Sequence, residues 1–157
     1  MPHIIRKRNR IPGFDYSSAN IYLLTVCTNR FQCMFGVVSS EGDTPHTILS
    51  PLGELVEEAV LGIPSYYPNV TVDAYSILPN HLHLLLRLDP ADAPNPPTVG
   101  RVIQQMKGFV TKAYGKSLWE KGFHDRVIRS EQAYENAWNY VTCNPAKWET
   151  DEYFTLE

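Results

Sequence analysis

A chain of 157 residues with 43% hydrophobic content is long enough for one domain with a substantial core. Fourteen basic side chains against seventeen acidic ones leave a net charge of −3, which argues against a general nucleic-acid coat protein. No apolar run reaches membrane-spanning length, and the first ten residues have charge but no apolar secretion core, so neither a membrane span nor a signal peptide is expected.

Taken in chain order, Asn20 to Thr28 is rich in Ile, Tyr, Val and Thr and predicts a strand. Val37-Val38 and Thr47-Ile48-Leu49 flank a Ser-Ser-Glu-Gly-Asp stretch and suggest a hairpin. Ser50 and Pro51 read as the N-cap and first position of a helix. Leu52, Leu55, Val56, Ala59, Val60 and Ile63 keep helical spacing until Pro64 ends it. Val70–Ile77 alternates as a strand, and Pro79-Asn80 is a turn leading into a second strand, Leu82–Leu88. Residues 89–97, with four prolines, form a loop. Thr98 caps a long helix with the apolar stripe Val99, Val102, Ile103, Met106, Phe109, Val110 and Ala113, which Gly115 ends. A connector over 117–129 holds a short strand, Arg126–Arg129. Ser130 then caps a last helix, and Pro145 disfavours helical geometry at Asn144. The order of strands and helices predicts an α+β fold built on an antiparallel sheet, in one domain over 1–157. With twelve residues after Pro145, no further domain or long extra arm is expected.

Two elements carry chemistry. In Pro79-Asn-His-Leu-His83, residues i and i+2 of a strand share a face, so His81 and His83 project side by side. Neutral imidazole is a common ligand of divalent metals. The same spacing also fits two half-buried histidines with no ligand role. In the last helix, Tyr140 and Asn144 are four apart and lie one above the other. A phenol that can act as nucleophile thus stands one turn from an amide oxygen that can bind a metal, although a packed Tyr and a capping Asn would read alike. Three cysteines, Cys27, Cys33 and Cys143, follow no framework or zinc spacing and point to a reducing, cytoplasmic setting.

The ordered combination of Pro79-Asn-His-Leu-His83, a long amphipathic helix, Asp125-Arg-Val-Ile-Arg129 and Tyr140-Val-Thr-Cys-Asn-Pro145 resembles the REP-associated tyrosine transposases. More broadly it is similar to the single-tyrosine transposases of the HUH endonuclease superfamily, named for its His-hydrophobic-His motif. The resemblance spans about Arg10 to Trp148. It implies a ferredoxin-like (RRM-like) antiparallel sheet with helices packed on it and the histidine strand central. It also implies Mg²⁺ or Mn²⁺ held by His81, His83 and Asn144. Tyr140 would be the nucleophile that forms a 5′-phosphotyrosine on single-stranded DNA next to hairpins. Relatives include monomers and homodimers, so the resemblance leaves open whether two copies share a site.

Charge distribution fits a nucleic-acid partner. Residues 1–10 carry four basic side chains and no acidic one, making Arg6, Lys7, Arg8 and Arg10 candidates for an arm on a DNA hairpin. Residues 101–129 carry seven basic against two acidic; Arg101, Lys107, Lys112, Arg126 and Arg129 are the DNA-contact candidates there, or else part of a solvated face. Trp119, Phe123 and Trp138 can stack on bases or pack in a core. Two other functions fit the same motifs. One is a hairpin-binding module without catalysis; the other is a metal-dependent hydrolase of small molecules.

Overall fold

The computed structural model describes residues 20–42, 44–91 and 96–153. The basic segment with Arg6, Lys7, Arg8 and Arg10 lies outside them, as do residues 92–95 of the proline-rich loop. Strand β1 (Ile21–Cys27) is followed by a 3-10 turn, Asn29–Phe31, and by the hairpin β2 (Gly36–Ser39) and β3 (His46–Leu49). Helix α1 (Pro51–Leu61) starts where Ser50 Oγ accepts the Gly53 amide. Gly62 ends it, two residues before Pro64, which instead sits in the first turn of the short α2 (Ile63–Tyr66). Proline is tolerated there because the first amides of a helix have no internal partner.

Strands β4 (Val70–Leu78) and β5 (His81–Leu88) form the hairpin that Pro79-Asn80 predicts. Helix α3 (Val99–Tyr114) runs from Thr98, whose hydroxyl accepts the Arg101 amide, to Gly115 in the left-handed region. Its buried stripe is Val102, Ile103, Met106 and Val110, whereas Ala113 is exposed. Strand β6 (His124–Ile128) lies slightly earlier than expected. Helix α4 (Glu131–Thr142) stops two residues before Asn144, which opens a 3-10 segment, Asn144–Thr150.

The four-stranded sheet has the order β4-β5-β1-β6, all antiparallel. With α1 and the short α2 between β1 and β4, and α3 between β5 and β6, this is the ferredoxin-like arrangement. Its two faces carry two cores. Leu82, Leu84, Leu86 and Leu88 face α1 and α3; Leu85, Ile21, Leu23 and Ile128 face α4. Covered on both sides, β5 is buried along its length, seven of its eight residues being buried, and five of the eight are leucines. The alternation places His81 and His83 on the α4 face with Leu85.

The expected simple alternation of β4 breaks at Asp73, where the register slips between Val72 and Ala74. Such a bulge resets which side chains face which way. It is anchored: Tyr134 of α4 donates to Asp73 Oδ2 at 2.7 Å, and Arg87 bonds Asp73 and Asp89. Beyond it Ser76 stands directly opposite His83. Among the described residues no helix is long and apolar enough to cross a membrane.

Candidate functional site

The hairpin turn and its neighbours fix the histidine rings. Asn80 is fully buried, and its Nδ2 donates to the carbonyls of Phe31 and Tyr153 at 3.2 and 2.7 Å. Both amide hydrogens being committed, Oδ1 is the atom that meets His81 Nδ1 at 2.8 Å, so that nitrogen carries a hydrogen. His83 Nδ1 meets the Thr25 hydroxyl at 3.0 Å, across the β1–β5 ladder. The two Nε2 atoms are thereby turned toward each other, 3.1 Å apart, in rings that are both fully buried. Two facing lone pairs at that separation repel unless a proton or a cation lies between them.

A carboxylate joins them. Asp151 Oδ2 is 3.5 Å from His81 Nε2, with its side chain 5% exposed. One ligand atom from each of His81, His83 and Asp151 lies within 4.8 Å of the other two. Burial alone would raise the Asp151 carboxyl. The His81 ring beside it, the hydrogen bond from the Tyr153 amide and the nearby His83 ring outweigh this and hold it below the ordinary carboxylate range. Burial, and then the neighbouring His81, push the His83 imidazole down to about 3, so the ring is neutral at ordinary pH.

This donor set fits a divalent cation. Two nitrogens bound at about 2.1 Å and at right angles lie about 3 Å apart, close to the Nε2 separation here. Hydrogen-bonded Nδ1 atoms are what orient metal-ligating imidazoles. The rings of Trp148 and Tyr153 also flank His81, at 6.0 and 4.9 Å. Tyr153 further stacks on Phe31 at 5.5 Å.

Tyr140 belongs to the same cluster within one chain. Its ring is 4.9 Å from the His83 ring, edge to face, and the residue is 45% exposed. Burial raises the phenol above its ordinary value; a hydrogen bond from the Asn144 side chain and the charge of Arg126 pull the other way. Asn144 is buried, and its Nδ2 also donates to the Tyr140 carbonyl at 3.1 Å. The alternative tyrosine on α4, Tyr134, is buried and bound to Asp73.

The basic candidates divide. Arg126 pairs with Leu23 on β1, so it shares the α4 face with the histidines, exposed and close enough to act on Tyr140. Arg129 is exposed just beyond β6. Arg101 and Lys112 are exposed on α3, which packs on the opposite face of the sheet. Lys107 is held: its Nζ donates to the Glu120 and Gly122 carbonyls at 3.0 and 2.6 Å. Trp119 is held there too, its Nε1 bonded to the Lys107 carbonyl; Trp138 is buried and Phe123 packs on the core. Asp125 pairs with Leu24 and so points away from the histidines.

Sequence reasoning missed Asp151, Thr25 and the turn residue Asn80 as partners. The Thr25–His83 pairing is readable once strand register is known. Asp151, between Thr150 and Glu152, looks like any solvated acidic residue, and its approach depends on how the chain turns after Pro145.

No protein-family model matches the chain. A Haemophilus influenzae protein described only as uncharacterised is 27% identical over 171 residues, covering 95% of this chain and 93% of its own. Among solved structures, a REP-associated tyrosine transposase bound to a REP hairpin superposes with a TM-score of 0.62 at 20% identity, covering 92% of this chain and 74% of its own. A candidate transposase from Deinococcus radiodurans gives 0.50 at 15% identity, covering 88% and 95%. The chain therefore has the fold of these proteins.

Proposed function

We propose that the chain is a REP-associated-type tyrosine transposase, a metal-dependent enzyme that nicks and rejoins single-stranded DNA next to a hairpin. The reading rests on one observation: the Tyr140 ring lies 4.9 Å from His83, beside paired Nε2 atoms and a carboxylate. The shared fold with a hairpin-bound transposase supports it.

In this reading His81 and His83 hold Mg²⁺ or Mn²⁺ with an oxygen from Asp151 or Asn144. The nitrogen-rich set favours Mn²⁺ over the oxygen-seeking Mg²⁺. Such an ion supplies charge withdrawal and orientation at the scissile phosphate. The Tyr140 hydroxyl gives up its proton, its oxygen bonds to phosphorus, and the bond to the 3′ oxygen breaks, leaving a 5′-phosphotyrosine and a 3′-OH. Asn144 stabilises the phenolate by donating to it, and Arg126 adds positive charge. Attack by another 3′-OH reverses the step and rejoins DNA. Arg126 and Arg129 hold phosphates beside the tyrosine; Arg101 and Lys112 extend the contact to the far layer, and Arg6, Lys7, Arg8 and Arg10 serve as an arm.

The test uses a single-stranded hairpin oligonucleotide with Mn²⁺ and denaturing gels that retain protein–DNA adducts. Wild type and Tyr153→Phe form the adduct; Tyr140→Phe does not. Cleavage that survives in Tyr140→Phe refutes the nucleophile. Hairpin binding without cleavage in wild type favours a regulatory module on the same fold.

A further inference from the structure

A second concavity of about 380 Å³ opens beside the proposed centre, between the β2–β3 hairpin, the edge of β4 and the C-terminal end of α4. That volume is within the range of small-ligand sites. β4 is an edge strand, so Tyr75, Ser76 and Ile77 all line the cleft although they alternate between faces. Pro45, Leu49, Pro145 and Ala146 supply apolar walls.

Its polar groups are unusual. Ser76 is 4% exposed, yet its Oγ has no hydrogen-bond partner among the described residues. Thr47 Oγ1, also in the lining, is buried and unpartnered as well. Buried hydroxyls without partners are uncommon, and two in one cleft point to a ligand that supplies them. Glu57 adds a carboxylate acceptor, oriented by the Tyr75 hydroxyl at 2.8 Å. Among the described residues no lysine or arginine lines the cleft, which does not favour a phosphate there.

We propose that this cleft receives one unpaired nucleobase flanking the cleaved phosphate, and that the base carries an exocyclic amino group. The assignment rests on the transposase reading. Ser76 faces His83 across one ladder rung, and Asn139, on the cleft wall, precedes Tyr140. A nucleotide whose phosphate lies at the tyrosine therefore has its base within reach. Apolar walls accept a base, as in other sites that hold an extruded base. A carboxylate accepts from the amino groups of cytosine, adenine or guanine, whereas thymine presents one N–H between two carbonyl oxygens. The neighbouring hydroxyls can donate or accept as the base requires.

Binding is measured at one fixed salt concentration, using hairpin oligonucleotides in which each flanking nucleotide is replaced in turn by an abasic site. Wild type loses affinity on the order of tenfold at one position, and at that position it discriminates cytosine from thymine. Ala146→Trp, which fills the cleft from an exposed position, loses the same factor with intact DNA and becomes indifferent to the abasic replacement. Glu57→Gln, which keeps an oxygen for Tyr75, loses the discrimination against thymine but still binds the hairpin. Tight hairpin binding with uniform tolerance of abasic sites, or an undiminished abasic penalty in Ala146→Trp, overturns the cleft assignment alone. Failure of wild type to bind any hairpin overturns the transposase reading and the cleft assignment with it.

Discussion

Replacing Asp151 by asparagine removes one negative charge from the proposed metal centre and keeps the shape and one oxygen. Unit charges about 4 Å apart interact by about 4 kcal/mol at the effective dielectric of a partly buried pair. With its side chain only 5% exposed, Asp151 retains much of this attraction toward a cation beside His81. Relaxation and competing water offset roughly half. The double charge of the ion raises this loss, the amide oxygen that remains as a neutral ligand recovers a comparable part, and about 2 kcal/mol is left, or roughly a thirtyfold weaker Mn²⁺ complex. Isothermal titration of Mn²⁺ into Asp151→Asn, Asn144→Ala and wild-type protein reads this directly. An Asp151→Asn affinity within threefold of wild type, with a large loss in Asn144→Ala, would refute the carboxylate and assign the oxygen ligand to the amide.

Thr25→Val should weaken Mn²⁺ binding by about 10–100-fold, because it removes the partner of His83 Nδ1 while leaving the strand intact; unchanged affinity would show that the ring is oriented by packing alone. Acid should destabilise the metal-free protein. The His83 imidazole titrates at about 3 when folded against 6.5 when unfolded, so over that window the unfolded chain binds more protons. Stability then falls as the pH drops below 6.5, by up to about 1.4 kcal/mol per pH unit from this group, and His83 adds no slope above it. Urea midpoints from pH 7.5 to pH 5 measure this, and His83→Gln should flatten the slope. Gly53→Ala should destabilise by about 1–3 kcal/mol, because a Cβ there collides with the Phe35 carbonyl oxygen; an unchanged melting temperature would contradict the close approach of α1 to the segment before β2.

Periodicity and caps were enough for the elements. Ser50, Thr98 and Ser130 each accept the amide three residues on, and a hydroxyl before an apolar stripe is a local signal. The departures are local too. Gly62 ends α1 before Pro64 can, and the bulge at Asp73 is invisible to an alternation pattern because the extra residue is one more polar side chain in a polar–apolar run. In the proposed site, His81 and His83 were legible because strand geometry puts i and i+2 on one face. The pairing of Tyr140 with Asn144 was legible because helical geometry brings i and i+4 together, and the hydrogen bond between them forms even though α4 stops at Thr142.

The chain's own order thus dictated strands, helices and two short-range pairs, since backbone sterics, caps and periodicity act over a few residues. Which groups meet across the molecule was decided by the fold. The β1–β5 register sets Thr25 against His83, Pro145 and the turns after it return Asp151 to His81, and packing of α3 on the far face separates Arg101 and Lys112 from the histidines. Those contacts join residues dozens of positions apart, and their energies depend on burial and orientation that no local pattern contains.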